Sequence, residues 1–226
     1  YGDYDGVMYR PTQDFKNEVK SVDTIIGVSY IHYIKEFEGI DYTDSILWVH
    51  NTEYYTWWNG QDIANHRELL LDSKLKSIIC LTEWHKNIFI EQFPETKDKI
   101  QVIGNGVDTS KFQIGDKNLN QYIYTSHAER GLSQILTEWD SILFKNPLAE
   151  LKISTPQYGL EYFNLYYRDL VDNLDNVEFL GTLPQHELYK LMAQSTYWYY
   201  PSSYQETFCI TALEMLGHGV QPITWE

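Results

Sequence analysis

The chain has 226 residues, enough for one large domain or two smaller ones, and 43% of them are hydrophobic, which is sufficient for real cores. Its 17 lysine and arginine residues are outnumbered by 32 aspartate and glutamate residues, and the formal net charge is −15. This balance argues against nucleic-acid backbones and anionic membranes as partners, because both need clustered cations.

The first half of the chain alternates between predicted strands and helices. Residues 24–29, 46–50, 77–81 and 100–103 favour strands, and residues 63–75 and 83–92 favour helices. The pair Asn105 and Gly106 predicts a turn, and the polar residues 115–120 are typical of a linker. We therefore expect a domain boundary near residue 115.

The second half repeats this alternation more regularly. Predicted strands lie at residues 122–126, 151–155, 177–181, 197–201 and 220–224. Predicted helices lie at residues 132–143, around 163–171, directly after 184 and at 206–218. Strands that alternate with helices of about 10–15 residues indicate parallel βαβ units. The second half therefore predicts half of a doubly wound α/β architecture.

Membrane, disulfide and metal signals are weak in this sequence. No run of about 18 apolar residues occurs, so we expect no membrane span. Cys80 and Cys209 are too few and too far apart for a disulfide framework or a metal site, and we interpret them as free thiols in a reducing compartment. The histidines are scattered along the chain, so no metal site is predicted. We also expect a cytoplasmic protein.

Two glutamates mark the last quarter of the chain. A predicted strand ends in a Pro-Ser-Ser turn, and the helix predicted at residues 206–218 contains Glu206 and Glu214. On one helix these residues would lie roughly 12 Å apart along the axis, about the reach from the sugar to the ribose of a nucleotide-sugar. The backbone N–H groups at the helix start suit a diphosphate between them. The alternative interpretation is two solvated glutamates on a surface helix.

This segment resembles a known enzyme family. Glu206, seven intervening residues and Glu214, together with Phe208, Gly219 and Pro222, resemble the Glu-x7-Glu signature of retaining glycosyltransferases, most closely family 4 of the GT-B class. The resemblance covers roughly residues 44–226 and implies two Rossmann-like domains. Residues 1–115 would form a partial, acceptor-side N-terminal domain, and residues 116–226 a C-terminal nucleotide-sugar donor-binding domain.

The resemblance also implies that parts of the family fold are missing. The sequence has no early glycine-rich loop and no long closing helix after residue 226, and it begins at Tyr1 rather than at methionine. We therefore expect an incomplete N-terminal domain and a shortened member of the family.

By resemblance, Glu206 and His50 are the candidate catalytic residues. Glu206 would contact the donor sugar and stabilise its developing positive charge, while the leaving diphosphate takes the acceptor proton on the same face. His50 follows a predicted strand, where side chains face the ligand crevice, and would hydrogen-bond a sugar hydroxyl. The alternative for His50 is a histidine that satisfies buried carbonyl groups.

The remaining candidates would hold the donor. Glu214 would bind the ribose hydroxyls, and the helix-start amides of Thr207, Phe208 and Cys209 would bind the phosphates. Arg130 matches a phosphate-binding cation of the family, although it could instead be a surface residue paired with Glu129 or Asp140. A second family cation is replaced by Thr125, so the hydroxyls of that residue and of its neighbour would hold more of the phosphate charge. The full set of candidate donor-binding residues is Arg130, Ser126, Thr125, Thr207, Phe208, Cys209, Glu214, Asn105, Gly181 and Leu183.

The predicted function is transfer of a sugar from a nucleoside diphosphate, with retention of configuration and without a metal or cofactor. The acceptor, whether glycan, lipid or protein, is not specified by the sequence, and we expect a monomer or a dimer. Two kinds of alternative remain. One is an epimerase or phosphorylase on the same fold, and the other is a nucleotide-sugar-binding module without turnover.

Overall fold

The structure is a computed structural model that describes residues 2–52 and 64–224. It divides into two compact units, Tyr1–Asn105 and Gly106–Glu226. The division falls after Asn105, whereas the sequence favoured a boundary near residue 115. In the described part of the chain, no helix is both long enough and apolar enough to cross a membrane.

The first unit contains a small antiparallel hairpin and a parallel sheet. Its elements are β1 (Gly2–Tyr4), β2 (Val7–Tyr9), α1 (Thr12–Glu18), β3 (Ser21–Val28), α2 (His32–Lys35), β4 (Asp41–Trp48), α3 (Ala64–Leu71), β5 (Leu75–Cys80), α4 (Glu83–Gln92) and β6 (Ile100–Val102). Strands β3, β4, β5 and β6 pair in that order, and all are parallel. The hairpin, α1 and α2 were not predicted from the sequence.

The sequence predictions for this unit differ from the structure mainly at helix ends. Helix α4 has the predicted bounds, and a threonine directly before it caps the helix. The helix predicted at residues 63–75 ends at Leu71, because Leu75 already begins β5 and is buried in the core with Leu47 and Ile78. Ile63, where that helix was predicted to start, lies outside the described residues.

His85 connects α4 to the chain that follows β4. Its backbone N–H donates to the Thr82 hydroxyl (3.0 Å), and its ring Nδ1 accepts from the Leu81 backbone N–H (3.2 Å). Because Nδ1 accepts, the proton of the neutral ring is on Nε2, which donates to the Asn51 carbonyl (3.0 Å). The buried ring therefore makes both contacts only when it is neutral.

We expect this histidine to make the protein less stable at mildly acidic pH. Burial lowers the pKa of His85 below its ordinary 6.5, the hydrogen bond to Asn51 opposes this shift, and the nearby His50 adds to it. The contribution to stability is thus complete above pH 6.5 and is lost as the pH falls, because the unfolded chain then binds a proton that the folded chain excludes.

The test is urea unfolding from pH 7.5 to pH 5.5. The free energy of unfolding of the wild type should fall by about 1 kcal/mol more than that of His85→Gln, which cannot titrate. Parallel pH profiles of the two proteins would show that His85 is not the responsible group.

The second unit is a five-stranded parallel sheet with helices between successive strands. Its elements are β7 (Asn118–Tyr124), α5 (Leu132–Lys145), β8 (Glu150–Ile153), α6 (Leu160–Tyr166), α7 (Arg168–Asp172), β9 (Val177–Phe179), α8 (Gln185–Gln194), β10 (Ser195–Tyr199), α9 (Ile210–Gly217) and β11 (Gln221–Ile223). The strand order is β11-β10-β7-β8-β9. This is the doubly wound order, in which the direction of winding reverses between β7 and β10. The predicted α/β class is confirmed.

A large aromatic core supports this sheet. Trp139, Tyr124 and Phe163 are fully buried, and the Trp139 indole N–H donates to the Asp175 carbonyl (2.9 Å). The strands around this core also receive a polar contact from Lys117, whose ammonium group donates to three backbone carbonyls at 2.7–3.0 Å. Lys117 thereby connects the amino end of β7 to α8, to the start of β10 and to the end of α9.

Two predicted helices of this unit are shorter in the structure. The helix expected around residues 163–171 is divided into α6 and α7 at Tyr167. The helix expected at residues 206–218 begins only at Ile210, and residues 200–209 form an irregular loop. Pro201 and the two serines after it favour a turn, and the Glu206 side chain is bound to partners outside the helix.

Candidate active site

The candidate site lies where the winding of the second sheet reverses. Loop 125–131 follows β7 and loop 200–209 follows β10, so both loops start at the carboxyl ends of neighbouring strands. The loops approach each other closely at Gly131, which has φ +95°, and a Cβ built on it would lie 2.5 Å from the Pro201 carbonyl oxygen. In doubly wound sheets this position is the usual ligand-binding crevice.

A charged pair joins the two loops. The Arg130 guanidinium (Nη1) donates to Glu206 Oε1 at 3.0 Å, and the Tyr200 hydroxyl donates to the same oxygen at 2.7 Å. The guanidinium also lies over the Tyr204 ring, 4.1 Å from its centroid. Both charged side chains are only partly exposed, Arg130 at 33% and Glu206 at 26%, so this interaction is stronger than one between fully exposed ions.

The Glu206 charge changes the pKa values of Tyr200 and Arg130, the two residues that donate hydrogen bonds to it. Burial raises the pKa of Tyr200, and the Glu206 carboxylate raises it further, so this hydroxyl remains a donor at neutral pH. Burial alone would lower the pKa of Arg130, but the Glu206 charge and the contact with Tyr200 raise it above its ordinary value. The site therefore contains a permanent cation and a fixed hydroxyl donor, both directed at one carboxylate.

A small pocket of about 140 Å³ opens beside this carboxylate. It is lined by Ser126, Arg130, Trp198, Tyr200, Glu206, Phe208, Cys209, Ile210 and Thr211. Its walls thus combine aromatic rings with one cation and one carboxylate. Aromatic faces and a hydrogen-bonding carboxylate together match the surface of a sugar ring, which has apolar C–H faces and a polar edge.

A larger pocket of about 410 Å³ shares Ser126, Arg130 and Thr211 with the small one. Its lining comprises Thr125, Ser126, His127, Arg130, Ser154, Thr155, Pro156, Gln157, Tyr158, Thr182, Leu183, Leu188 and Thr211. The buried hydroxyls of Thr125 and Thr155 have no hydrogen-bond partner among the residues that the structure describes. Tyr158 stacks on His127 with 5.7 Å between ring centroids and 11° between planes. We refer to these two adjacent pockets together as the groove, and Arg130 lines both of them.

The structure assembles many of the residues that the sequence predicted. Arg130 and Ser126 line both pockets, Thr125 and Leu183 line the larger one, and Glu206, Phe208 and Cys209 line the smaller one. The alternative that Arg130 is a surface residue paired with Glu129 or Asp140 is wrong, because its partner is Glu206.

The predicted placement of both glutamates on one helix is wrong. Glu206 precedes α9, so the axial spacing of an α-helix does not apply to the pair. Because Cys209 is the N-cap residue, the first helix amides belong to Ile210 and Thr211 and not to residues 207–209. Both of these residues line the small pocket, and burial raises the pKa of the Cys209 thiol.

Glu214 lies on α9, but it lines neither of the two pockets. Its Oε1 accepts a hydrogen bond from the Tyr189 hydroxyl at 2.6 Å, and Gln185 donates to that hydroxyl at 3.1 Å. Burial, together with this carboxylate, raises the pKa of Tyr189 to about 12. The contact joins α8 to α9. Thr207 is buried and also lines neither pocket.

The remaining candidates, Gly181, His50 and Asn105, line neither of the two pockets. The Gly181 carbonyl accepts from the Ser154 hydroxyl (2.9 Å) and from the Thr155 backbone N–H (3.1 Å), two residues that line the larger pocket. His50 and Asn105 belong to the first unit, where His50 is half-buried beside Trp48 at 5.1 Å between ring centroids. Burial lowers the pKa of His50, which favours a neutral ring.

Four aromatic residues of the site were not selected from the sequence. Tyr200, Tyr204, Trp198 and Tyr158 were interpreted as parts of strands, turns or the core. The position of Tyr200 directly after β10 was an available signal, because side chains at the carboxyl ends of parallel strands face the crevice. Nothing in the sequence pattern indicates the ring contacts of the other three.

No cluster suited to a metal ion occurs in the part of the chain that the structure describes. Among residues 2–52 and 64–224, no group of three or more histidine, cysteine, aspartate or glutamate side chains is close enough to share one.

Comparison with known proteins gives matches in structure but not in sequence. No family model matches the chain, and no curated protein matches it significantly. A variant of S. aureus TarM, solved with fondaparinux, α-GlcNAc-glycerol and UDP, superposes with a TM-score of 0.65 at 12% identity over 88% of this chain and 41% of that one. The pneumococcal O-GlcNAc transferase GtfA, solved with UDP and GlcNAc, gives 0.61 at 16% identity over 85% and 38%. Anabaena HepE, solved with UDP, gives 0.66 at 14% identity over 94% and 61%.

The fold is GT-B. It was predicted from the strand and helix alternation together with the Glu-x7-Glu resemblance, and it is confirmed by these superpositions. The chain spans less than two thirds of the length of each of these three proteins.

Proposed function

We propose that this chain is the nucleotide-sugar-binding part of a retaining, metal-independent glycosyltransferase. The observation that best supports this function is the Arg130–Glu206 pair, placed where the winding of the second sheet reverses and beside a pocket with aromatic walls. A cation and a carboxylate side by side suit a substrate that joins a diphosphate to a sugar. The crystal structures of TarM, GtfA and HepE are complexes with UDP, which supports a nucleoside diphosphate as the common part of the donor.

In this proposal the junction of the two pockets binds the diphosphate. Arg130 offers a planar guanidinium suited to bidentate phosphate contacts. The amides at the start of α9 and the Ser126 hydroxyl offer further donors near the same place. A fixed cation and aligned backbone dipoles would then neutralise the leaving diphosphate without a divalent metal ion.

The donor sugar would occupy the small pocket beside Glu206. The carboxylate would accept hydrogen bonds from sugar hydroxyls and stabilise the positive charge that develops on the ring as the diphosphate departs. Retention would follow if the leaving diphosphate accepts the proton of the acceptor hydroxyl on the same face of the sugar. The larger pocket would then take the nucleoside, and the first unit, with His50, would serve the acceptor side.

Binding is tested by thermal unfolding with UDP, GDP and ADP. A ligand at 100 times its dissociation constant should stabilise the folded chain by about 2.7 kcal/mol, which is enough to rank the three nucleotides. Arg130→Gln should remove most of this stabilisation, because it removes the phosphate-binding cation. Arg168→Gln is the matched control, since Arg168 is exposed and pairs with Asp172 on α7. If none of the nucleotides stabilises the wild type, the proposal is wrong.

One observation favours a second candidate, a nucleotide-sugar-binding module without turnover. Arg130 is already paired with Glu206, and Thr125 stands where the family has a second cation, so the positive charge available to stabilise a leaving diphosphate is reduced. Nucleotide binding without detectable donor hydrolysis or transfer by the wild-type chain would support this module.

A further inference from the structure

One side chain of the small pocket has a polar atom that the proposed roles leave unused. Trp198 lies on β10, is only 3% exposed and lines the small pocket together with Glu206. Its ring stacks on Tyr200 with 4.8 Å between centroids and 14° between planes. Its indole N–H is buried and has no hydrogen-bond partner among the residues that the structure describes.

An unpaired buried indole N–H requires an explanation, because tryptophan normally finds a partner for this donor when it is buried. The other large buried tryptophan of this unit behaves in the usual way, since the Trp139 N–H donates to the Asp175 carbonyl at 2.9 Å. The two residues belong to the same core cluster. The difference between them is that the Trp198 side chain lines a pocket.

We propose that the Trp198 indole N–H binds an oxygen of the donor sugar in the small pocket. This inference rests on the proposed function and adds a substrate-binding residue that was not predicted from the sequence. Glu206 as a carboxylate only accepts hydrogen bonds, and an indole only donates them, so together they match the mixed donor and acceptor character of sugar hydroxyls. Phosphate oxygens already have Arg130 and the first amides of α9 as donors, which leaves Trp198 for the sugar.

The aromatic character of the pocket supports the same assignment. Trp198, Tyr200 and Phe208 place three rings around a volume of about 140 Å³. Rings of this kind contact the apolar C–H faces of a sugar, whereas polar groups at the pocket wall contact its hydroxyls. A diphosphate, which has no apolar face, would leave these rings without a complementary surface.

The experiment compares nucleotides with their sugar conjugates, using wild type and Trp198→Phe. The probes are UDP, GDP and ADP and the glucose conjugate of each, titrated calorimetrically. For the nucleotide that binds, Trp198→Phe should weaken the glucose conjugate about tenfold, equal to about 1.4 kcal/mol, and change the free nucleotide less than twofold. Equal weakening of both would assign the N–H to the diphosphate, and unchanged affinities would assign it no ligand; either result overturns the inference.

The unliganded proteins provide a second readout. Trp139→Phe should lower the urea midpoint because it breaks a hydrogen bond, whereas Trp198→Phe should lower it less because no bond is lost. Equal losses would indicate that the Trp198 N–H is already satisfied without ligand and would contradict the inference. Site-specific 3-benzothienylalanine at position 198 retains the bicyclic shape but lacks the N–H, so it repeats the titration without the loss of ring volume.

The failure of this inference can be told apart from failure of the proposed function. If wild type binds none of the nucleotides or conjugates, the proposed function itself is wrong. If wild type binds them and Trp198→Phe binds them equally well, only the role of Trp198 is wrong.

Discussion

Glu206→Gln is expected to reduce sugar transfer by roughly 10²–10³-fold, the usual effect of removing one group directed at charge that develops in the transition state. The glutamine retains the size and part of the hydrogen bonding of the carboxylate but not its negative charge. It therefore tests the proposed electrostatic role and not only the filling of the pocket.

The same change should leave nucleotide binding intact or make it tighter. Glu206 holds the Arg130 guanidinium at 3.0 Å, so a diphosphate must compete with this carboxylate for the cation. Without the negative charge, Arg130 is free to bind phosphate. We therefore expect a lower dissociation constant for the free nucleotide alongside the lower rate of transfer, two effects of opposite direction from one substitution.

The measurement is the initial rate of donor hydrolysis or transfer, with nucleotide affinity determined on the same preparations. Glu161→Gln is the matched control, because Glu161 is exposed on α6 and lines neither pocket. A Glu206→Gln protein that transfers sugar at the wild-type rate would exclude an electrostatic role for this residue.

Gly131→Ala is expected to lower the free energy of unfolding by about 2–4 kcal/mol, through backbone strain and overpacking together. Gly131 has φ +95°, which residues with a Cβ adopt at a cost of about 1–2 kcal/mol. The added Cβ would also lie 2.5 Å from the Pro201 carbonyl oxygen and 3.2 Å from the Ser202 nitrogen, and both neighbours are backbone atoms. The two loops of the site would have to separate, so nucleotide affinity should fall as well.

Gly181→Ala separates these two causes. Gly181 also has a positive φ, +73°, but nothing lies within 4 Å of the position of its Cβ. It should therefore show only the backbone cost, about 1–2 kcal/mol. Urea unfolding of both variants measures the difference, and equal losses would show that the close approach of the two loops adds nothing to stability.

The sequence was most informative where a local pattern decides the structure. Helix α4 has the bounds that the sequence predicted, and in the structure Thr82 caps the helix and Phe89 is buried on its inner face. The alternation of strands and helices after residue 118 predicted the parallel sheet, because each βαβ unit needs only its own apolar face to be specified. Arg130 and Glu206 were predicted to lie at one crevice because both follow predicted strands, and in the structure they form a hydrogen bond.

The sequence by itself thus determined the α/β class, the second-unit strands and the loops that follow β7 and β10. Only the tertiary structure decided that Glu206 stands before α9 and binds Arg130, which is distant in sequence, and that Glu214 binds Tyr189 instead of lining the groove. Periodicity reports which face of an element is buried, over a few neighbouring residues. It contains no information about which side chains meet when the order of strands reverses, because those contacts join distant segments and are selected by packing across the sheet.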